Sequence, residues 1–141
     1  MKIKILLSTL ICFFLFFSCK KEKKSDPLSI IKRQIIGVWD LKENKTVAYD
    51  AGSKEPKSEY GDVSNHPTFE FIDETHLKIS EINVLLYDYT LKLENNKTII
   101  TFNNDDFELT INNGTMIWVT ERNYDRPDYS KFITTFTYTK H

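Results

Sequence analysis

The 141-residue sequence predicts an all-β protein, an eight-stranded antiparallel up-and-down barrel with a short N-terminal helix. Apolar and polar side chains alternate along most of the chain, for example from Tyr87 to Glu94, so each strand has one buried and one wet face. Turn-forming residues such as Asn113-Gly114 separate these runs. An antiparallel meander with one apolar face closes most economically on itself, because closure removes its edges.

The elements follow in order from local signals. Asp26 and Pro27 form a helix start, and apolar residues at helical spacing predict a helix over Leu28 to Gln34. Strands are then predicted at 37–43, 67–72, 76–81, 85–93, 97–103, 106–111, 115–121 and 132–139.

The connections differ in length between the two ends of the predicted barrel. At one end, the base, they are short: 73–75, 94–96 and 112–114. At the other end, the mouth, lie the two long connections, 44–66 and 122–131. Long loops draped over one end of a rigid scaffold are typical of a functional opening.

Residues 1–18 are predicted to be an export signal. Lys2 and Lys4 precede an apolar run from Ile5 to Phe17, which is too short to span a bilayer. The stretch Leu15-Phe16-Phe17-Ser18-Cys19 resembles the lipobox of bacterial lipoproteins. That resemblance implies that Cys19 becomes the mature N-terminus and carries fatty acyl chains such as palmitate.

The same resemblance defines the expected domain boundaries and the expected localisation. Residues 19–27 are then the lipidated Cys19 and a charged tether, and residues 28–141 form the barrel domain. Lys20 directly after the Cys is similar to the lipoproteins that Gram-negative bacteria forward to the outer membrane. A periplasmic and a surface-exposed orientation both remain open.

Gly37-Val38-Trp39 opens the first strand and resembles the lipocalin-like domains of small secreted bacterial lipoproteins. The resemblance implies that Trp39 lies across the closed base, that the first long loop lies over the mouth, and that a small apolar molecule binds inside. Many inward positions are Phe, Tyr, Ile or Leu, so a barrel filled by side chains is an equal alternative at this stage.

Composition argues against several functions. From residue 28 onward the chain has 13 basic and 18 acidic residues without a basic stripe, so no nucleic-acid partner is expected. The sequence contains no nucleophile elbow, Gly-rich phosphate loop or His-Glu-x-x-His. Cys12 is removed with the export signal and Cys19 carries the lipid, so the barrel domain has no cysteine. Its histidines, His66, His76 and His141, are not spaced like metal ligands. We therefore expect no enzyme, no cofactor and no metal.

Tyrosines and arginines are concentrated in the connections at the predicted mouth. Exposed aromatic and Arg side chains are typical of binding surfaces. The candidate ligand-binding residues are Tyr49, Tyr60, Tyr124, Arg126 and Tyr129, with Arg122 beside them. The first hypothesis is a monomeric, lipid-anchored, non-enzymatic protein that binds a small hydrophobic or amphiphilic ligand there. The alternative is a filled barrel that contacts an envelope protein or a surface glycan through these loops.

Overall fold

The computed structural model describes residues 26–50, 52–61, 67–124 and 130–141. Within them lie one helix and nine strands. They are α1 (Pro27–Ile35), β1 (Gly37–Tyr49), β2 (Pro56–Gly61), β3 (Thr68–Phe71), β4 (His76–Ser80), β5 (Val84–Glu94), β6 (Lys97–Phe102), β7 (Asp105–Asn112), β8 (Thr115–Asn123) and β9 (Lys131–Lys140).

Eight of these strands form a closed antiparallel barrel, which confirms the predicted fold class. Strands β3 to β9 follow one another as neighbours, and β1 pairs with β3 on one side and with β9 on the other. The pairing of β1 with β9 runs from Trp39 to Tyr49 and closes the cylinder. The short helix precedes β1, as its capping signal predicts: the Asp26 carboxylate accepts from the Leu28 backbone N–H at 3.1 Å.

The short hairpin turns use asparagine and glycine because their backbone is left-handed. Asn95 and Asn96, Asn103 and Asn104, and the Asn113-Gly114 pair all have positive φ at both central positions. Two positive φ values in succession match the right-handed twist of the flanking strands. The Asn113-Gly114 turn predicted from the sequence is therefore confirmed.

The prediction was wrong for the first long connection. Residues 44–66 were expected to be a loop, but β1 continues to Tyr49, and β2 pairs with its second half, placing Tyr60 opposite Thr46. β2 is mostly exposed and polar, so it lacks the alternation that reveals a strand in a sequence. It lies beside β1 beyond the point where β3 stops pairing with β1, at the mouth.

A β-bulge at Lys42 sets which β1 side chains face the interior. The register with β9 shifts between Leu41 and Glu43, so Lys42 is the additional residue. Trp39 and Leu41 are buried before the bulge, whereas Ala48 is buried after it. The inward face therefore changes from odd to even residue numbers along one strand.

The base half of the barrel is filled by aromatic side chains around Trp118. Its ring centroid lies 5.5 Å from that of Phe69, 5.4 Å from Phe107 and 5.1 Å from Tyr138. Edge-to-face and tilted contacts of this kind add to the stability that burial provides. The base is thus a packed core.

Helix α1 and Trp39 close the base. The indole Nε1 of Trp39 donates to the backbone oxygen of Ile35 at 2.7 Å, and both residues are fully buried. Lys140 Nζ lies 5.1 Å from the Trp39 ring centroid and donates to the Gln34 oxygen at 2.9 Å. Gly37 has φ +122°, and a Cβ there would lie 3.2 Å from Lys140 Cε, so both backbone and space favour glycine.

Candidate ligand cavity at the mouth

An open cavity of about 540 Å³ occupies the mouth half of the barrel. Strand alternation directs most of its lining side chains inward from β1, β7, β8 and β9, while β2 and the end of β8 supply the rim. The lining residues are Thr46, Tyr60, Asp105, Phe107, Thr120, Arg122, Tyr124, Phe132, Thr134 and Phe136. The barrel is therefore filled at the base and open at the mouth.

The floor of the cavity is aromatic. Phe107 and Phe136 contact each other edge to face, with ring centroids 6.1 Å apart. Phe107 also packs against Trp118, the centre of the base core. An apolar group that enters the cavity would meet these rings first.

A row of three threonines crosses the wall above the floor. Thr134 on β9 lies opposite Thr46 on β1 and opposite Thr120 on β8. The hydroxyls of Thr46 and Thr134 are 3.0 Å apart, and either oxygen can donate. Because a hydroxyl is both donor and acceptor, this row can serve a polar group of either kind.

Two buried polar atoms without a hydrogen-bond partner lie one rung below the threonines. Asn44 on β1 and Trp118 on β8 both lie opposite Phe136 of β9. Asn44 Oδ1 and Trp118 Nε1 are buried and unpartnered in the part of the chain that the structure describes. An unsatisfied buried polar atom costs about 1–3 kcal/mol. The barrel interior therefore has polar groups that its own packing does not satisfy.

An ion pair spans the wall near the rim. Arg122 Nη2 and Asp105 Oδ2 are 2.8 Å apart, and both side chains are half-exposed. A pair this exposed is worth about 0–1 kcal/mol, so a ligand can separate it at small cost. It offers one cationic and one anionic contact to a polar ligand group.

The structure places some of the candidate ligand-binding residues at the cavity and others away from it. Tyr60 and Tyr124, together with Arg122, line the cavity, and the Tyr124 ring packs edge to face on Phe132 with centroids 5.3 Å apart. Tyr49 does not line it: its ring lies under Lys131 Nζ, 5.1 Å from the centroid. Arg126 and Tyr129 lie outside the described residues, as do Cys19 and residues 1–18.

The threonines and phenylalanines that line the cavity were not among the candidate ligand-binding residues of the sequence. A signal for them exists in β8, where Met116, Trp118, Thr120 and Arg122 share one face and change from apolar to polar toward the mouth. That change of polarity along one inward face marks the level at which the packed core ends.

A histidine at the opposite end of the barrel is held by its turn. His76 Nδ1 lies 2.7 Å from Asp73 Oδ2, and Asp73 Oδ1 accepts from the backbone N–H groups of Thr75 and His76. The Thr75 backbone N–H and the His76 side chain hold the pKa of Asp73 well below its usual value. The Asp73 hydrogen bond raises the pKa of His76. The arrangement is an exposed turn motif.

The carboxylates of the acidic turn at 103–106 form ion pairs and a hydrogen bond with neighbouring side chains of the barrel. Asp105 pairs with Arg122, and Asp106 accepts from Thr101 and pairs with Lys92 at 3.1 Å. The Thr101 hydrogen bond and Lys92 lower the pKa of Asp106. Among the described residues no group of three His, Cys, Asp or Glu side chains could hold a metal ion.

Comparison of the chain with protein-family models, with curated proteins and with solved structures found no match. In the described ranges no helix has the length and apolar character needed to cross a membrane.

Proposed function

We propose that this protein is a non-enzymatic, lipid-anchored binding protein of the bacterial envelope, and that its mouth cavity holds a small amphiphilic molecule. The observation that carries the proposal is the division of the barrel interior. A packed aromatic base gives way to an open cavity with a mixed polar and aromatic lining. Pockets of 300–1,000 Å³ with an apolar lining and a few polar groups are typical of small-molecule sites.

The lining favours an amphiphile over a purely apolar ligand. Phe107, Phe132 and Phe136 offer aromatic surface to a hydrocarbon chain or ring. The threonine row and the ion pair lie at or above that floor, so a polar head group can bind them while its apolar part contacts the rings.

A binding role without catalysis is supported by how the lining side chains are used. Asp105 pairs with Arg122, and the Thr46 and Thr134 hydroxyls bond to each other. The ten described lining residues contain no histidine or cysteine. A nucleophile with an adjacent base, the usual requirement for covalent catalysis, is therefore not assembled from these side chains.

The position of α1 is compatible with the lipid anchor that the lipobox-like stretch implies. The described chain begins at Asp26, immediately before the helix that closes the base. A lipid on Cys19, reached through a short charged tether, would attach the base end to the outer membrane. The mouth would then open away from that membrane.

Native mass spectrometry of residues 26–141 after exposure to an envelope lipid extract tests the proposal. The wild type is compared with Thr134→Phe, which fills the cavity, and with Thr135→Phe on the same strand. Thr135 points outward, because strand neighbours face opposite sides. We expect a mass adduct in the wild type and in Thr135→Phe. In Thr134→Phe the intensity of this adduct should be at least tenfold lower than in the wild type.

A bare mass in repeated extracts, or equal adducts in both variants, would overturn ligand binding in the cavity. A partner held by the exposed rim tyrosines would remain as the alternative. It is tested by pull-down from envelope fractions with the wild type and with Tyr60→Ala/Tyr124→Ala.

A further inference from the structure

Strand β5 extends past the end of its neighbour β6. Residues 84–88 pair with β4, whereas pairing with β6 begins only at Tyr89, opposite Phe102. Among the described residues no strand covers the second side of β5 from Val84 to Asp88. A cleft of about 280 Å³ between residues 87–90 and 101–104 marks the point where the two strands separate.

Backbone groups on this open side have no partner within the described sheet. The Tyr89 N–H donates to Thr75 O at 2.8 Å, and the Glu81 N–H donates to Asn83 O at 3.3 Å, so odd-numbered residues bond across the hairpin. In an antiparallel ladder the intervening residues point the other way. Val84 and Leu86 therefore present their N–H and C=O groups to the open edge.

The side chains along this edge are apolar and exposed. Ile82 is 89% exposed, Val84 68%, Leu85 50% and Leu86 63%. The segment from Ile82 to Tyr87 has no charge, no proline and no glycine. Protein edges are ordinarily protected by lysine, proline or a bulge, and an uncharged β-prone edge is a template for strand addition.

We propose that a second copy of this chain covers the edge, by antiparallel pairing of β5 with β5 about a two-fold axis at Leu85. In this register Val84 and Leu86 exchange hydrogen bonds with Leu86 and Val84 of the other copy, and Leu85 meets Leu85. The exposed apolar side chains of Val84, Leu85 and Leu86 thus meet one another across the axis. A two-fold contact of this kind is self-complementary and closed.

Charge favours this occupant over a lipid surface. In the proposed dimer, residues 83–87 of the two copies lie opposite one another and carry no charge. Asp88 of each copy lies opposite Ile82 of the other. Repulsion between the rest of the two acidic domains is screened over about 8 Å at physiological salt. An anionic lipid surface would instead meet Glu81 and Asp88, with no basic residue from 79 to 91.

The contact is small, so the dimer is expected to be weak and concentration-dependent. Pairing of one short strand buries less than the roughly 1,200 Å² that separates transient from stable interfaces. Attachment of both copies to one membrane would raise their effective concentration.

Disulfide cross-linking of the full chain in the membranes of the expressing bacterium tests the register. Leu85→Cys places two thiols across a non-hydrogen-bonded pair, where the Cα atoms are about 4.5 Å apart. Val84→Cys is the matched control, because its copies are diagonal neighbours, about 7–8 Å apart. The unmodified chain, with its native Cys12 and Cys19, sets the background.

We expect Leu85→Cys to form at least fivefold more covalent dimer than Val84→Cys, with peptide mapping placing the bond at position 85. Adding Leu86→Lys to Leu85→Cys should return the dimer to background. Leu86 points outward and does not bond to β4, so a circular dichroism spectrum like that of the wild type is expected. Background cross-linking of Leu85→Cys, or equal cross-linking at Val84→Cys, would overturn the proposal.

Discussion

At the scale of single residues, Trp39 shows what the sequence can and cannot reveal. The resemblance carried by Gly37-x-Trp39 implies an indole across the base, and Trp39 is fully buried there beneath α1. It also contacts Lys140, which lies 101 positions away, at the far end of β9. Only closure of the barrel brings the two together, so local pattern could not identify the pair.

Trp39→Phe is expected to destabilise the protein more than Trp118→Phe. Both substitutions remove part of a buried indole, but only Trp39 donates a hydrogen bond, whereas Trp118 Nε1 is buried without a partner. The difference should be about 1–3 kcal/mol, the cost of leaving the Ile35 carbonyl unsatisfied. Urea denaturation measures it. An equal loss in the two variants would mean that the Trp39 bond contributes little.

The Asp73–His76 pair predicts a pH dependence of stability. The lowered pKa of Asp73 contributes stability above its ordinary value of 3.8, and this is lost as pH falls through the folded value. The raised pKa of His76 contributes stability below its ordinary value of 6.5, and this is lost as pH rises through the folded value. Both contributions are present together between about pH 4 and 6.5.

The variant His76→Gln tests this dependence. Its melting temperature should lie furthest below that of the wild type near about pH 5.5, and the gap should narrow by about pH 9. Thermal unfolding monitored by circular dichroism gives both values. A gap that widens toward alkaline pH would contradict the assignment.

At the scale of elements, prediction succeeded where a strand has one buried and one wet face. β7 alternates the apolar Phe107, Leu109 and Ile111 with Glu108 and Thr110, and the strand predicted over 106–111 spans Asp105–Asn112. β2 was not predicted because nearly all of it is exposed, so its sequence does not alternate between apolar and polar residues. The second half of β1 was missed for a related reason, since the bulge at Lys42 interrupts its alternation.

The turns provide an element-scale prediction. Asn104 has φ +65° between β6 and β7. This left-handed conformation costs most residues with a Cβ about 1–2 kcal/mol, costs asparagine less because its short polar side chain bonds locally, and costs glycine nothing. Asn104→Ala should therefore destabilise by about 1 kcal/mol, and Asn104→Gly should be close to neutral. Chemical denaturation of both variants measures the difference. Equal stabilities would show that the left-handed turn is not maintained in solution.

At the scale of the whole molecule, the packed core lies at one end of the barrel and the proposed binding cavity at the other. The aromatic cluster and α1 stabilise the base, and the same strands carry polar side chains inward at the mouth. Loop lengths indicated which end holds the cavity, and Tyr60, Tyr124 and Arg122 from the predicted mouth connections line it. The threonine row was not predicted, because it depends on a rung shared by three strands that the sequence places far apart.

This division predicts that equal truncations have unequal effects. Phe71 is buried at the base against Tyr89 and Trp118, so Phe71→Ala should cost about 3–5 kcal/mol. Phe136 already faces the cavity, so Phe136→Ala should cost about half as much, because fewer contacts are lost.

Ligand binding should show the reverse order. Under conditions where both variants are folded, Phe136→Ala should weaken the lipid adduct, since it removes part of the cavity floor, whereas Phe71→Ala should retain it. Urea denaturation and native mass spectrometry on the same samples measure the two effects. If Phe136→Ala loses as much stability as Phe71→Ala and keeps its adduct, the mouth is part of the packed core and the cavity is not the binding site.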